Sequence, residues 1–219
     1  MSSPLIIDYY SDVLCVWAWI AQRRLDELRE NWGDEVVLRH HYMNLFGDTE
    51  ARIGQGWADK GGFEGFGQHV IAATAPYDDA PVISTIWKHA QPATSGNAHL
   101  LIKAAEIAHG AQTGADLALA IRTEFFTHGK DVGNIAVLMD IADDIGIDAD
   151  KLDEILGKGK AMANLMADYK DAQEQNLKGS PTWIMNGGRQ VLYGNVCYRV
   201  LHANIEEILH RPDEEASWC

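Results

Sequence analysis

Basic residues are scarce in this chain: 18 Lys and Arg stand against 32 Asp and Glu, for a net charge of −14. So acidic a surface repels phosphate backbones and anionic headgroups, which argues against nucleic acid or a membrane as partner. Long apolar runs are missing too, and none approaches the roughly 18 residues that a membrane-spanning helix needs. Cysteine is sparse and odd in number. Cys15, Cys197 and Cys219 lie far apart, unlike a secreted disulfide framework. The short run Leu14–Ala21 follows Asp8 and Asp12 rather than Lys or Arg, the wrong flank for an export signal. These features together predict a cytoplasmic protein with reduced thiols. There is no paired Cys-x-x-Cys and no His-Glu-x-x-His, and His40 and His41 are adjacent on a predicted strand, so they face opposite ways. No metal site is expected. The glycines at 54, 56, 61, 62, 65 and 67 match neither a phosphate loop nor a dinucleotide fingerprint, and they read as a flexible loop over a cleft.

What is present is a core-forming sequence. With 219 residues, 47% of them hydrophobic, the chain suits one domain, or one domain with a large insertion. Leu5–Tyr10 is a short β-prone run. From Val16 the spacing turns helical through Trp19, Ile20, Leu25, Leu28 and Trp32, with Gly33 as the stop. Glu35–Tyr42 is the next strand. The middle predicts helices around 63–73 and 82–90, then four amphipathic helices between Ser95 and Tyr169. Asn134 and Asp148 fall at N-cap positions, Gly129 and Gly146 at helix stops. Thr182–Met185 and Gln190–Tyr193 flank Asn186-Gly187, a hairpin signature. A last helix runs from about Val196 to His210, capped by Asn195, ahead of an acidic tail after Pro212.

The order is β-α-β, a helical block, then β-β-α. That is an α/β, thioredoxin-like connectivity with an all-helical insertion, dividing the chain into residues 1–45 and 178–219 around an insertion of 46–177. Cys15 falls at the start of the first helix, where unpaired N–H groups favour a thiolate and predict a lowered pKa. Pro181, in Gly179-Ser180-Pro181-Thr182, precedes the third strand, a position open to proline.

The stretch Asp8–Ala21 (DYYSDVLCVWAWIA), Gly179–Thr182, Asn97–Leu100 and Phe125–Asp131 together resemble the DsbA family of thioredoxin-like proteins. That group includes FrnE-like oxidoreductases, 2-hydroxychromene-2-carboxylate isomerase and kappa-class glutathione transferases. The resemblance implies a nucleophilic Cys15, a cis Pro181, and a substrate backbone aligned by Ser180 and Pro181. It also implies that His99 and His128 pack between insertion helices. Where dithiol members carry Cys-Pro-Trp-Cys, this chain reads Cys15-Val16-Trp17-Ala18, so the resolving thiol is replaced by Ala18. The family's transferases and isomerases carry serine at the place of Cys15. They also grip glutathione with an acid after the glycine that follows the fourth strand, and here that segment is Gly194-Asn195-Val196.

The family's fourth strand returns to the active-site end, which makes Cys197 a candidate displaced resolving cysteine. Cys15 and Cys197 are therefore the expected catalytic residues, with Trp17, Ala18, Ser180, Pro181 and Asn195 as substrate-binding candidates. Cys219 reads as a terminal thiol without a role. The leading expectation is thiol–disulfide exchange on a protein or small-molecule disulfide. The alternatives are a glutathione-dependent isomerase or transferase acting on an aromatic substrate, and a binding module that has lost catalysis. No tightly bound cofactor is implied, although glutathione is a candidate co-reactant. Members of the family often pair, which makes a homodimer an expectation.

Overall fold

The computed structural model describes residues 3–211. Cys219 and the acidic tail after Pro212 lie outside the described residues. The chain opens with β1 (Leu5–Ser11), α1 (Val16–Ile20), α2 (Gln22–Trp32) and β2 (Val36–Tyr42). Then come α3 (Gly62–Thr74), α4 (Gly96–His109), α5 (Ala111–Phe126), α6 (Ile135–Asp144), α7 (Ala149–Gly157) and α8 (Lys160–Glu174). It closes with β3 (Thr182–Met185), β4 (Gln190–Tyr193) and α9 (Tyr198–His210). The strands lie in the order β2-β1-β3-β4. β1 and β2 are parallel, as a β-α-β crossover requires, and β3 runs antiparallel to both β1 and β4.

Alternation along β1 divides the core. Ile7 and Tyr9 face α2 and α9, where they pack with Leu25, Leu28, Trp183, Leu201 and Ile205. Tyr10 faces the other way, with Met43, Ala172 and Ile184, under α8. A third and largest cluster fills the helical insertion and takes in Val13–Val16 and Ala18–Ile20. The segment carrying Cys15 is thus packed against the insertion, not against the sheet's own core.

Four local expectations are corrected. The first helix is interrupted at Ala21, which closes α1 and opens α2 while keeping helical backbone angles. Residues 82–90 form turns rather than a helix, since Trp87 is fully buried with φ of 60° and Pro81 and Pro92 bracket the segment. The glycine-rich segment is not a loose loop. Glu50–Gln55 is a π-helical turn, Ala58–Lys60 a 3-10 turn, and 62–74 is α3. Gly67 is needed there for close approach, because a Cβ would stand 2.4 Å from the Ile86 carbonyl oxygen. Finally, Cys197 rather than Asn195 caps α9. The Asn186-Gly187 turn has positive φ at both residues (49° and 64°), the twist that suits a tight hairpin.

Buried charges tie the insertion to the sheet. His41 Nδ1 lies 3.0 Å from Asp168 and its Nε2 3.1 Å from Asp8, while its ring stacks on Tyr10. Asp168 also accepts from the Tyr42 N–H (3.0 Å) and pairs with Lys103 at 2.9 Å. His40 points to the opposite face, against Tyr9. Burial pushes the His41 imidazole down, but hydrogen bonds to Asp168 and Asp8 outweigh it and hold the pKa at about 9. A histidine raised in the folded state contributes stability that is full below its unfolded pKa, about 6.5, and is lost as pH climbs through the folded value. Urea unfolding is expected to show a loss of about 2 kcal/mol between pH 6.5 and 9.5 that the His41→Gln variant does not show. Equal pH slopes in the two proteins would refute it.

Candidate active site

Cys15 sits where β1 ends and α1 begins, and buried polar side chains fix that corner. Asp12 is fully buried. Its Oδ1 accepts from the Leu14 N–H at 3.0 Å, and its Oδ2 accepts from Leu45 N–H (3.1 Å), Phe46 N–H (2.9 Å) and the Ser95 hydroxyl (2.8 Å). One carboxylate therefore binds the Cys15 loop, the turn after β2 and the start of α4. The Val13 N–H donates 3.1 Å to His99 Nε2, and His99 Nδ1 lies 2.8 Å from the Tyr169 hydroxyl. Burial holds His99 down at about 4, so the ring is neutral and can accept through Nε2. His99 is thus more than packing between insertion helices, because α4 uses it to hold the loop that carries Cys15. His128, by contrast, is on the surface and pairs with Glu124.

Across from this corner, the Ser180 hydroxyl accepts from the Asp12 N–H at 3.0 Å, and the Ser180–Pro181 peptide is cis. Cys15 Sγ lies 3.2 Å from the Ser180 carbonyl oxygen, to which its S–H donates. The cysteine is only 5% exposed. That burial pushes its pKa up, and the nearby Asp12 carboxylate adds to it. The Ser180 hydroxyl and the N–H groups of Ala18 and Trp17 pull the other way without prevailing. The lowered pKa expected from the helix start is therefore not what the structure holds. α1 is five residues long, and desolvation of a buried thiolate exceeds what one short turn of N–H groups returns.

A cavity of about 440 Å³ opens beside Cys15. Trp17 and Ser180 line it, as do Arg52, Trp57 and Lys178, which sequence reasoning had not singled out, and His69, which it had read as structural. These four come from the π-helical turn, the segment after it, α3 and the β3 approach, and only the folded chain brings them together. Ala18 is instead in the core, fully buried. The Pro181 carbonyl accepts from the Gly194 N–H (2.8 Å), so the cis proline and the end of β4 are joined through backbone. Asn195 donates to the Tyr77 hydroxyl at 2.6 Å, and neither it nor Cys197 is among the residues lining the cavity. Cys15 and Cys197 are both free; Cys15 is buried and Cys197 exposed. Among the described residues there is no metal-binding group of His, Cys, Asp or Glu, and no helix long and apolar enough to cross a membrane.

The family model of the DSBA-like thioredoxin domain matches residues 6–206. The chain belongs to that family. No curated protein matches this DsbA-like chain in sequence. Solved structures that share its fold include a "probable DsbA oxidoreductase" from Streptomyces coelicolor, at 15% identity and a TM-score of 0.75, covering 98% of this chain and 94% of that one. The cytosolic disulfide reductase DsbM from Pseudomonas aeruginosa, solved with GSH, is 19% identical with a TM-score of 0.69, covering 94% and 99%. 2-Hydroxychromene-2-carboxylate isomerase is 16% identical with a TM-score of 0.65, covering 97% and 100%. At such identities the likeness is one of fold.

Proposed function

We propose that this DsbA-like protein is a thiol–disulfide oxidoreductase working through a single cysteine. The observation that carries the reading is the placement of Cys15: a free thiol facing a cavity, 3.2 Å from the carbonyl that precedes the cis proline. In the first step Cys15 gives its proton to solvent, and the thiolate attacks one sulfur of a disulfide R–S–S–R′. The Cys15–S–S–R bond forms, the S–S bond of the substrate breaks, and R′–S⁻ leaves. Ala18 offers no resolving thiol, so a low-molecular-weight thiol such as glutathione attacks the R sulfur, which releases Cys15 thiolate and a new disulfide. Exposed Cys197 is the other candidate for that second step. Because burial raises the Cys15 pKa, the attack rate is expected to keep rising with pH past the ordinary thiol range.

The raised pKa also favours a second reading. A thiol kept protonated can hold the sulfur of a bound glutathione as a hydrogen-bond donor, as a glutathione-dependent isomerase needs. Incubating the reduced protein with oxidised glutathione, followed by peptide mass mapping, separates the two. An adduct on Cys15, or a Cys15–Cys197 disulfide, supports exchange and identifies the resolving thiol. Modification of Cys197 and Cys219 with Cys15 left intact rejects it.

A further inference from the structure

The charge of the Cys15 cavity is opposite to that of the protein around it. On a chain with net charge −14, the charged side chains among the described residues that line this cavity are Arg52 and Lys178, with no carboxylate among them. Neither cation makes an ion pair or a side-chain hydrogen bond among the described residues. The Arg52 guanidinium lies over the Phe46 ring, 4.7 Å from its centroid. One face is thereby covered, while its N–H edge has no acceptor among the described residues. The carboxylates of the same segment are turned to other uses. Asp48 accepts from the Ala51 N–H at 2.9 Å, and Glu50 folds over Gly54, where a Cβ would meet its Oε1 at 2.4 Å. Asp12, close to Cys15, is buried and already accepts four hydrogen bonds. The same walls carry the aromatic side chains of Trp17, Trp57 and Phe66.

The π-helical turn Glu50–Gln55 places Arg52 here, and lone turns of this kind are frequent at functional sites. A 5%-exposed Cys15 behind these walls admits a small molecule more readily than the disulfide of a folded protein. A cavity of about 440 Å³ falls in the range that holds one.

We propose that Arg52 and Lys178 are specificity-determining residues that make the Cys15 cavity select small thiol and disulfide compounds bearing a carboxylate beside an apolar body. The proposal rests on the exchange reading only for the chemistry at sulfur. The surrounding negative field repels anions elsewhere, so the two cations concentrate an anionic substrate at the thiol.

The test uses two alkylating agents of nearly equal size, iodoacetate and iodoacetamide, on a Cys197→Ser/Cys219→Ser protein in which only Cys15 reports. Rates are divided by those of free cysteine in the same buffer to remove intrinsic reactivity. The normalised iodoacetate/iodoacetamide ratio is expected to be about tenfold above one at low salt. It should fall toward one in high salt, persist in Arg52→Lys and drop below one in Arg52→Glu. A ratio at or below one, or one unmoved by Arg52→Glu, overturns the proposal. The second measurement is tryptophan fluorescence of Cys15→Ser titrated with 3-phenylpropionate and with its neutral amide. Preference for the carboxylate with an unreactive Cys15 keeps the selectivity and removes the exchange reading. Equal binding with a reactive Cys15 does the reverse.

Discussion

Cys15→Ser is expected to bring disulfide exchange down to the uncatalysed background while leaving the unfolding midpoint nearly unchanged. The two side chains have almost the same shape, and the serine hydroxyl keeps a donor for the Ser180 carbonyl, now 3.2 Å from Sγ. Nothing buried is left unpaired, so the structure has no reason to adjust. The chemistry is another matter. A serine hydroxyl cannot ionise near neutral pH without a base to take its proton, and the group that Cys15 Sγ meets at 3.2 Å is the Ser180 carbonyl, which takes none. Burial has already pushed the Cys15 thiol upward and would penalise an alkoxide further. The measurement is consumption of oxidised glutathione in the presence of an excess small thiol, beside a urea titration. Exchange that survives in Cys15→Ser would mean that Cys197 or Cys219 carries it. Glutathione-dependent isomerisation, by contrast, would survive the substitution, because serine can hold a sulfur as a donor equally well.

The fold was legible in the sequence because its strands and helices differ so plainly in period. β1, β2, β3 and β4 all fall where the apolar runs predicted them, and Asn186-Gly187 turns the hairpin. Asn134 and Asp148 cap α6 and α7 with their side chains, since an Asn or Asp before an apolar period has little else to do. Failures came where tertiary contacts override local preference. Residues 82–90 have helix-like apolar spacing, but Trp87 is drawn into a left-handed conformation by the aromatic cluster of Phe63, Phe66 and Phe125. The glycines of 54–67 suggested looseness; instead Gly56, Gly65 and Gly67 sit against backbone carbonyl oxygens that a Cβ would strike, and Gly61 and Gly62 take positive φ. At the site, Cys15 and Ser180-Pro181 could be read because each stands at an element boundary with distinctive chemistry. Arg52, Lys178 and Trp57 could not, because no periodicity marks residues from distant segments that meet only at a cavity wall. The acidity of Cys15 was misjudged for the same reason. A helix start is local and visible, whereas burial depends on the whole insertion packing over it.

Asp12 shows what that packing controls, and Asp12→Ala is expected to cost about 3–5 kcal/mol of stability by urea unfolding. The carboxylate is fully buried, and four donors converge on it from three separate segments. Alanine leaves the N–H groups of Leu14, Leu45 and Phe46 and the Ser95 hydroxyl without an acceptor in a place closed to water. Each buried donor so orphaned costs roughly 1–3 kcal/mol, and relaxation of the loops limits the sum. Asp12→Asn retains one oxygen but turns an NH₂ toward groups that themselves donate, so it too is expected to destabilise. Yet Asp12 raises the Cys15 pKa through its charge. Removing that charge in Asp12→Asn is therefore expected to lower the thiol pKa, read from the pH dependence of Cys15 alkylation, even as the protein unfolds at lower urea. Opposite movements of stability and thiol acidity would establish Asp12 as a structural anchor kept despite its electrostatic effect on the nucleophile. Parallel losses would mean instead that Cys15 reacts only when this corner of the fold is held in place. In that case the burial of the thiol, rather than the charge beside it, would set its reactivity.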